Sequence, residues 1–385
     1  MWASYTPTLQ SCAVVRHTNH VVSTLASWLQ TRRPGLYRVA RNLYLRNRIA
    51  PHDFVMISNS IKLLVLHFGL VLAFGNWGVQ ASWDEWWTYD GISGPKYWGV
   101  LNPLWKLCSI GKRQSPIDID PDKLLFDPFL KNLHIDKDKV SGTIENTGQS
   151  LVFRVDKESK YVLNITEGPL TYRYQFQEFY IHFGTDNNLG SEHKIQGYSF
   201  PAEIQLYGYN TDLYSNMSEA QMKSQGIVGV SLMVQIGQTT NSEFQMVTNE
   251  FGKLLYKGSL RTIKDISIRE MLPDIKYYMT YEGSTTHPGC WETTVWIVLN
   301  KPIYITRREM YHLRKLSQGS VEHPKAPLGN NSRPTQDLRE RTVRTNINFA
   351  QRTEADPQGK TCKLNMHKNM YYKANDWTSD SLYQI

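Results

Sequence analysis

Five runs along the chain, residues 171–176, 179–183, 204–209, 229–236 and 294–299, are dense in branched and aromatic side chains, and several alternate apolar with polar positions. That period of two places successive side chains on opposite faces and predicts strands. A turn cluster, Thr185-Asp186-Asn187-Asn188-Leu189-Gly190, separates two of them. Helical periodicity is scarce, with residues 218–223, 268–271 and 307–316 as short candidates. The Pro-, Gly- and Asn-rich run 323–334 predicts an exposed loop, and 353–385 a loosely ordered polar tail without an apolar end for a GPI anchor or a C-terminal span. Trp83, Trp86, Trp87, Trp98 and Trp105 precede the first strand, and rings of that size are expected in a core rather than on a ligand-stacking platform.

The strand period also sorts the candidate chemistry. Tyr180 and His182, two apart, share one face of their strand, while Glu203, Gln205 and Tyr207 share one face of another. A His-x-His pair joined by a third His would hold zinc there, with a fourth position left open for water. The residues present supply one imidazole, one amide and a phenol with a solution pKa of about 10, and the last two are poor zinc ligands. The pattern is that of a metal site lacking two of its three ligands.

Length changes little in this picture, because 385 residues with 41% hydrophobic and 12% aromatic content suffice for a substantial core, and no internal repeat is present. Charge changes more. The formal charge is +8, but residues 1–81 hold eight Arg or Lys (Arg16, Arg32, Arg33, Arg38, Arg41, Arg46, Arg48, Lys62) against the single acid Asp53, so they contribute +7 of it. The remainder is nearly neutral, which argues against nucleic acid as a partner. The apolar stretch 63–74 is short for a bilayer span and is followed by Val79-Gln80-Ala81, so residues 56–81 are expected to be a secretory signal beginning at Met56, with no membrane span in the mature chain. Residues 1–55 are then an upstream extension, non-native or unstructured; a mitochondrial presequence and the cytoplasmic arm of a signal-anchor are the other readings.

Several motifs carry a resemblance in their order and spacing: Gly111-Lys112-Arg113-Gln114-Ser115-Pro116-Ile117-Asp118-Ile119, Asn146-Thr147-Gly148-Gln149, Gly190-Ser191-Glu192-His193, and Gly283-Ser284-Thr285-Thr286-His287-Pro288 leading into Trp296-Ile297-Val298. Together they resemble the alpha-class carbonic anhydrases over residues 83–349. His182-Phe183-Gly184, residues 301–307 and residues 344–349 resemble the acatalytic branch of that family, the carbonic anhydrase-related proteins X and XI. The resemblance implies a mainly β (α+β) fold in which residues 82–350 form a single domain. Its centre would be a large twisted, mostly antiparallel sheet of about ten strands with short peripheral helices, followed by a polar tail, 351–385.

Carried over by position, the family's zinc histidines fall on Tyr180, His182 and Gln205, and its proton shuttle on Gln149, which does not titrate near neutral pH. The hydroxyl that orients zinc-bound hydroxide falls on Thr286, its carboxylate partner on Glu192, and a further carboxylate behind the third ligand on Glu203. Pocket walls beside the substrate fall on Tyr207, Thr285 and Gly229. The resemblance therefore implies vestigial site residues, no catalysis and no bound zinc, with His182 a hydrogen-bonded core histidine. A weak metal held by His182 with His193 or His287 is the other reading of that residue.

The cysteines are Cys12, Cys108, Cys290 and Cys362. The resemblance implies a Cys108–Cys290 disulfide, as in extracellular members of the family, closing a loop of about 180 residues in an oxidising compartment. Cys362, flanked by Lys360 and Lys363, is left over, and an unpaired secreted cysteine points to an intermolecular bond, a reactive thiol or an inert capped residue. Proteins of the X and XI branch are associated with neurexins, which makes Cys362 a candidate covalent contact. Asn164, Asn216 and Asn330 head N-glycosylation sequons, consistent with secretion. The expected function is that of a secreted, glycosylated binding module for a cell-surface partner, with a synaptic, neurexin-like protein as the candidate. The alternative is a carbonic anhydrase or esterase of residual activity with a rebuilt zinc site.

Overall fold

The computed structural model describes residues 87–348 and 370–372. The chain divides after Gln80, and every described residue belongs to the second unit, Ala81–Ile385. The expectations for residues 1–55 and 56–81, for Trp83 and Trp86, and for Cys12 and Cys362 lie outside the described residues.

Strands dominate, with fifteen among the described residues. In chain order they are β1 (Asp118–Ile119), β2 (Leu125–Phe126), β3 (Leu133–Ile135), β4 (Lys139–Asn146), β5 (Leu151–Val155), β6 (Asn164–Glu167), β7 (Tyr174–Phe183) and β8 (Lys194–Ile195), then β9 (Ala202–Asn210), β10 (Ile227–Gly237), β11 (Leu260–Ser267), β12 (Tyr278–Gly283), β13 (Thr294–Leu299), β14 (Ile303–Thr306) and β15 (Arg344–Thr345). Thirteen form one sheet, and ten of these follow a continuous path, β11-β4-β5-β7-β9-β10-β13-β12-β15-β2, with β3, β6 and β14 beside it. The expected ten-strand, mostly antiparallel sheet is thus present with three further strands. The parallel pairs in this sheet are β10 with β13 and with β14, and β15 with β2.

Position in the sheet explains each strand's sequence. The outer strand β4 alternates exposed or half-buried with buried residues, whereas central β10 is buried from Ile227 to Gln235 and is apolar almost throughout. β7 joins the last part of the first predicted run to the second. The polar pair Gln177-Glu178 that divided them in the sequence sits at a bulge between Phe176 and Glu178, where the pairing with β9 shifts register. The helix at Arg307–Arg314 starts at a capping box in which Thr306 and Glu309 each satisfy the other's backbone N–H.

The sheet separates two apolar clusters. One holds Phe179, Ile181, Phe183, Ile204 and Leu206; the other holds Tyr207, Met233, Met279, Trp296 and Val298. A third, small cluster joins Trp98, Trp105 and Cys290, with Trp87 packed against it, so the described tryptophans of the early run lie in or against a core as expected. Cys108 and Cys290 are disulfide-bonded. No helix among the described residues is long and apolar enough to cross a membrane.

Two expectations need correction. The run 323–334 is continuously exposed only in its first part, because Leu328, Asn331 and Arg333 are buried between exposed neighbours such as Asn330 and Pro334. Its polar residues looked like solvated loop, yet they find their partners inside the molecule. Within the run 353–385, Met370 and Tyr372 are buried against the sheet, the Tyr371 amide donates to Asn300 Oδ1 at 3.1 Å, and the Tyr371 and Tyr304 hydroxyls lie 2.6 Å apart. Aromatic area buried there offsets the entropy of tethering the segment.

Candidate functional site

β7 and β9 lie side by side with Tyr180 opposite Gln205 and His182 opposite Glu203. This register gathers Tyr180, His182 and Gln205, onto which the resemblance carries the family's zinc ligands, on one face, as the two-residue spacing predicts. Glu192 and His193 arrive from the turn that follows β7, and Thr285, Thr286 and His287 from the turn between β12 and β13.

Gln205 is the centre of the arrangement and is fully buried. Its amide donates one bond to Glu192 Oε2 and one to Glu203 Oε1, each at 2.9 Å. Its carbonyl oxygen accepts from the Tyr207 hydroxyl at 2.8 Å and the Thr286 hydroxyl at 3.1 Å. Two donors and two acceptor lone pairs exhaust what an amide offers, so this side chain has no lone pair left for a metal. Thr286 and Glu192 were expected to remain as a partnered pair. Both are present, but no hydrogen bond joins them, because Gln205 stands between them and bonds to each.

Glu203 accepts from the Glu192 and His193 amides, His193 Nδ1 and the Ser231 hydroxyl, all at 2.8 Å, besides Gln205. Burial alone would raise its pKa; the His193 imidazole and these donors outweigh burial and hold the carboxyl down to about 2. Glu192 is buried too, accepts the Arg333 amide at 2.8 Å, and lies 3.6 Å from His182 Nε2. Arg333 is itself buried; its guanidinium donates to the Ser115 carbonyl at 2.6 Å and Gln114 Oε1 at 2.9 Å. Burial lowers its pKa to about 10, against the pull of Glu192, so it stays cationic at neutral pH. A fixed guanidinium and a ring of N–H donors thus stand beside two buried carboxylates.

His182 is buried, and its Nδ1 is 2.7 Å from the Asn331 carbonyl oxygen. A carbonyl only accepts, so Nδ1 carries a proton. The remaining nitrogen is the one imidazole contact available among the three expected ligand positions. Tyr180 offers none: its hydroxyl points 3.4 Å from Glu178 Oε1, and burial followed by the Glu178 charge raises its pKa, which disfavours phenolate. Its ring stacks on His287 at 5.4 Å between centroids. Burial, then the nearby His182, lowers the His287 pKa to about 4. The donor set does not fit a catalytic zinc, and no group of three or more His, Cys, Asp or Glu among the described residues is arranged to hold a metal ion.

The positions onto which the resemblance carries the family's pocket wall are closely packed. Tyr207 is buried and packs edge-on against Trp296 at 5.7 Å and Tyr180 at 5.6 Å. Gly229 lies opposite Tyr207 on β10 and under Trp296, whose ring a Cβ at that position would meet at 2.8 Å. Thr285 is buried and its hydroxyl has no hydrogen-bond partner. Gln149 stands further out, where it lines a cavity of about 240 Å³ with Tyr89, Thr185, Asn330 and Asn331.

Asn331 and Arg333 are contributors that sequence reasoning passed over. The Asn331 side chain donates to the Ile181 carbonyl at 3.0 Å and accepts the Phe183 amide at 2.8 Å, clamping the end of β7 from 148 residues away. The only signal was polar residues in a loop, and that did not distinguish a plug from a solvated turn. The sequons also differ in setting. Asn216 and Asn330 are exposed, whereas Asn164 is half-buried and its Nδ2, the atom a glycan would take, donates to Asp136 at 2.9 Å.

A family model described as eukaryotic-type carbonic anhydrase matches residues 93–347. The chain is 38% identical over 292 residues to "Putative carbonic anhydrase-like protein 2" of Caenorhabditis elegans, an alignment covering 74% of this chain and 86% of that protein.

Proposed function

The chain belongs to the eukaryotic-type carbonic anhydrase family, and from that premise we propose that it is a secreted member without hydratase activity that works as a binding module for a cell-surface protein. The observation that carries this reading is Gln205, whose amide occupies a metal-ligand position with all four of its hydrogen-bonding capacities spent on Glu192, Glu203, Tyr207 and Thr286. Without a metal, nothing lowers the pKa of a water from about 15.7 to about 7 to make the hydroxide that hydration needs. Tyr207 fills space beside the substrate position, and Gln149 replaces the proton shuttle, so loss of the metal is matched by loss of access and of proton transfer.

Secretion is supported by the Cys108–Cys290 disulfide, the apolar segment 63–74 ahead of Ala81, and the two exposed sequons Asn216 and Asn330. A cell-surface partner of the neurexin kind, reached covalently through Cys362, is the partner that the X and XI resemblance supplies. Purified secreted protein is expected to carry far less than one zinc per chain and to leave carbon dioxide hydration at its uncatalysed rate. One tightly held zinc per chain with sulfonamide-sensitive hydration would reverse the reading. Cys362→Ser is expected to abolish covalent complexes with co-expressed surface receptors on non-reducing gels, and persistence of all such complexes would remove Cys362 from the contact.

A further inference from the structure

Between Gly91 and Lys112 the chain makes a short 3-10 turn at Gly91–Ser93, a helical turn at Trp98–Leu101, a second 3-10 turn at Pro103–Trp105 and a helical turn at Leu107–Ile110. The inner side is tied down: Trp98 and Trp105 are buried with Cys290, and Cys108 is bonded to it. The outer side is unusual. Ile92 is 85% exposed, Val100 78%, Leu104 79% and Ile110 58%, and Tyr97 is exposed beside them. Scattered single apolar residues are ordinary on a surface, but this many on one 22-residue segment are not. The segment contains no acid, and its exposed Lys96, Lys106 and Lys112 enter no ion pair among the described residues. Arg113, at its edge, is already taken by Glu282 at 3.1 Å.

We infer that this face, centred on Val100 and Leu104, is the docking surface for a protein partner whose contact patch is apolar and rimmed by carboxylates. The inference rests on the recognition role proposed above and adds a non-covalent contact surface to the covalent one proposed at Cys362. Exposed apolar residues interspersed with lysines outside any ion pair among the described residues match an interface in which desolvation supplies affinity and charge supplies register. A lipid surface is the poorer fit. Interfacial helices are long with one continuous apolar face, whereas these turns span three or four residues each and keep their tryptophans inside. Rigidity favours a protein as well, since a surface already fixed by a disulfide and two buried indoles loses little conformational entropy on docking.

The test uses the full secreted chain, fluorescently labelled and titrated onto dissociated cells of the source organism before and after surface proteolysis. Wild type and the control Phe129→Asp, which alters an equally exposed residue on another segment, are expected to bind in a saturable, protease-sensitive manner. Val100→Asp combined with Leu104→Asp should raise the half-saturating concentration roughly tenfold or more. Lys106→Glu with Lys112→Glu should weaken binding by a smaller factor that shrinks as salt is raised. Unchanged melting temperatures would show that the variants are folded, as expected for positions this exposed. Equal binding by all variants overturns the docking surface while leaving the recognition role intact, and absence of saturable binding by wild type brings down both. Protease-resistant binding that is reproduced on phosphatidylserine vesicles would make the occupant a lipid and overturn the proposal. A dimer in sedimentation that Leu104→Asp dissolves would make it a second copy, with the same result. A photo-crosslinker at position 104 that reacts only within its own chain would show the face covered from inside and would also overturn it.

Discussion

Along β7 and β9, Phe179, Ile181, Ile204 and Leu206 point to one side of the sheet, and Tyr180, His182, Glu203, Gln205 and Tyr207 to the other. Both faces are buried, by opposite means. On the first, burial is favourable by itself, at about 25 cal/mol per Å² of apolar surface, and any well-packed side chain of similar volume serves. On the second, each buried polar group costs free energy unless a partner is aimed at it. There the position of Gln205 is fixed by four bonds from residues scattered between Glu192 and Thr286. The first face specifies volume, and the second specifies identity. In the family's enzymes the resemblance places a cation among these carboxylates; in this chain a neutral amide, the buried Arg333 and backbone N–H groups surround them.

Returning a cation to the polar face tests that contrast most severely. Tyr180→His with Gln205→His is expected to retain zinc through dialysis where the wild type is expected to retain none, because Glu192, Glu203 and Thr286 stay in place. Turnover should remain poor, since Tyr207 and Gln149 are unchanged. Fast hydration by this double variant would show that the wall and the shuttle were never obstacles.

Gln205→Leu keeps the volume and removes the bridge between two buried carboxylates. It should cost about 3 to 5 kcal/mol in urea unfolding. Leu206→Ala, the next residue but on the apolar face, should cost about 2 to 5 kcal/mol by cavity formation. The contrast lies in a second substitution: Leu206→Met should be nearly neutral, whereas Gln205→Glu, equally conservative in size, should be as damaging as Gln205→Leu because it adds a third acid. Similar tolerance at both positions would mean that the network does not specify residue identity.

The pH dependence should differ in the same way. The folded pKa of Glu203 lies below its ordinary value of 4.5, so its contribution is fully present above about pH 4.5 and is lost as pH falls toward about 2. Its size follows from the shift and is on the order of 3 kcal/mol. The folded pKa of His287 is also depressed, from 6.5 to about 4, so its contribution is present above 6.5 and declines as pH falls toward 4. Thermal melts of wild type between pH 7 and 2 should therefore fall in both windows. Glu203→Gln should flatten the lower window, and Leu206→Ala should shift the whole curve without changing its shape. A Glu203→Gln curve parallel to wild type would place the acid sensitivity elsewhere. The smallest expected effect is Tyr207→Phe, which removes one donor to Gln205 while keeping the ring against Trp296, at about 1 kcal/mol in the same melts.

The apolar face was legible in the sequence because a strand's period of two is written in neighbouring residues. That pattern located β9, β10 and β13 nearly to their ends, and it faltered at β7, where the bulge at Glu178 breaks the period. Order and spacing of motifs indicated the family and, through that resemblance, the Cys108–Cys290 bond. These are local properties, or positional ones carried over from a resemblance. The insertion of Gln205 between Thr286 and Glu192, the burial of Asn331 and Arg333 as a plug, and the return of Met370–Tyr372 to the sheet were decided by the tertiary structure. The physical reason is that a polar side chain is satisfied by direction and distance, not by sequence neighbourhood. Glu192 and Arg333 meet across 141 residues, and only the folded sheet brings them within 2.8 Å.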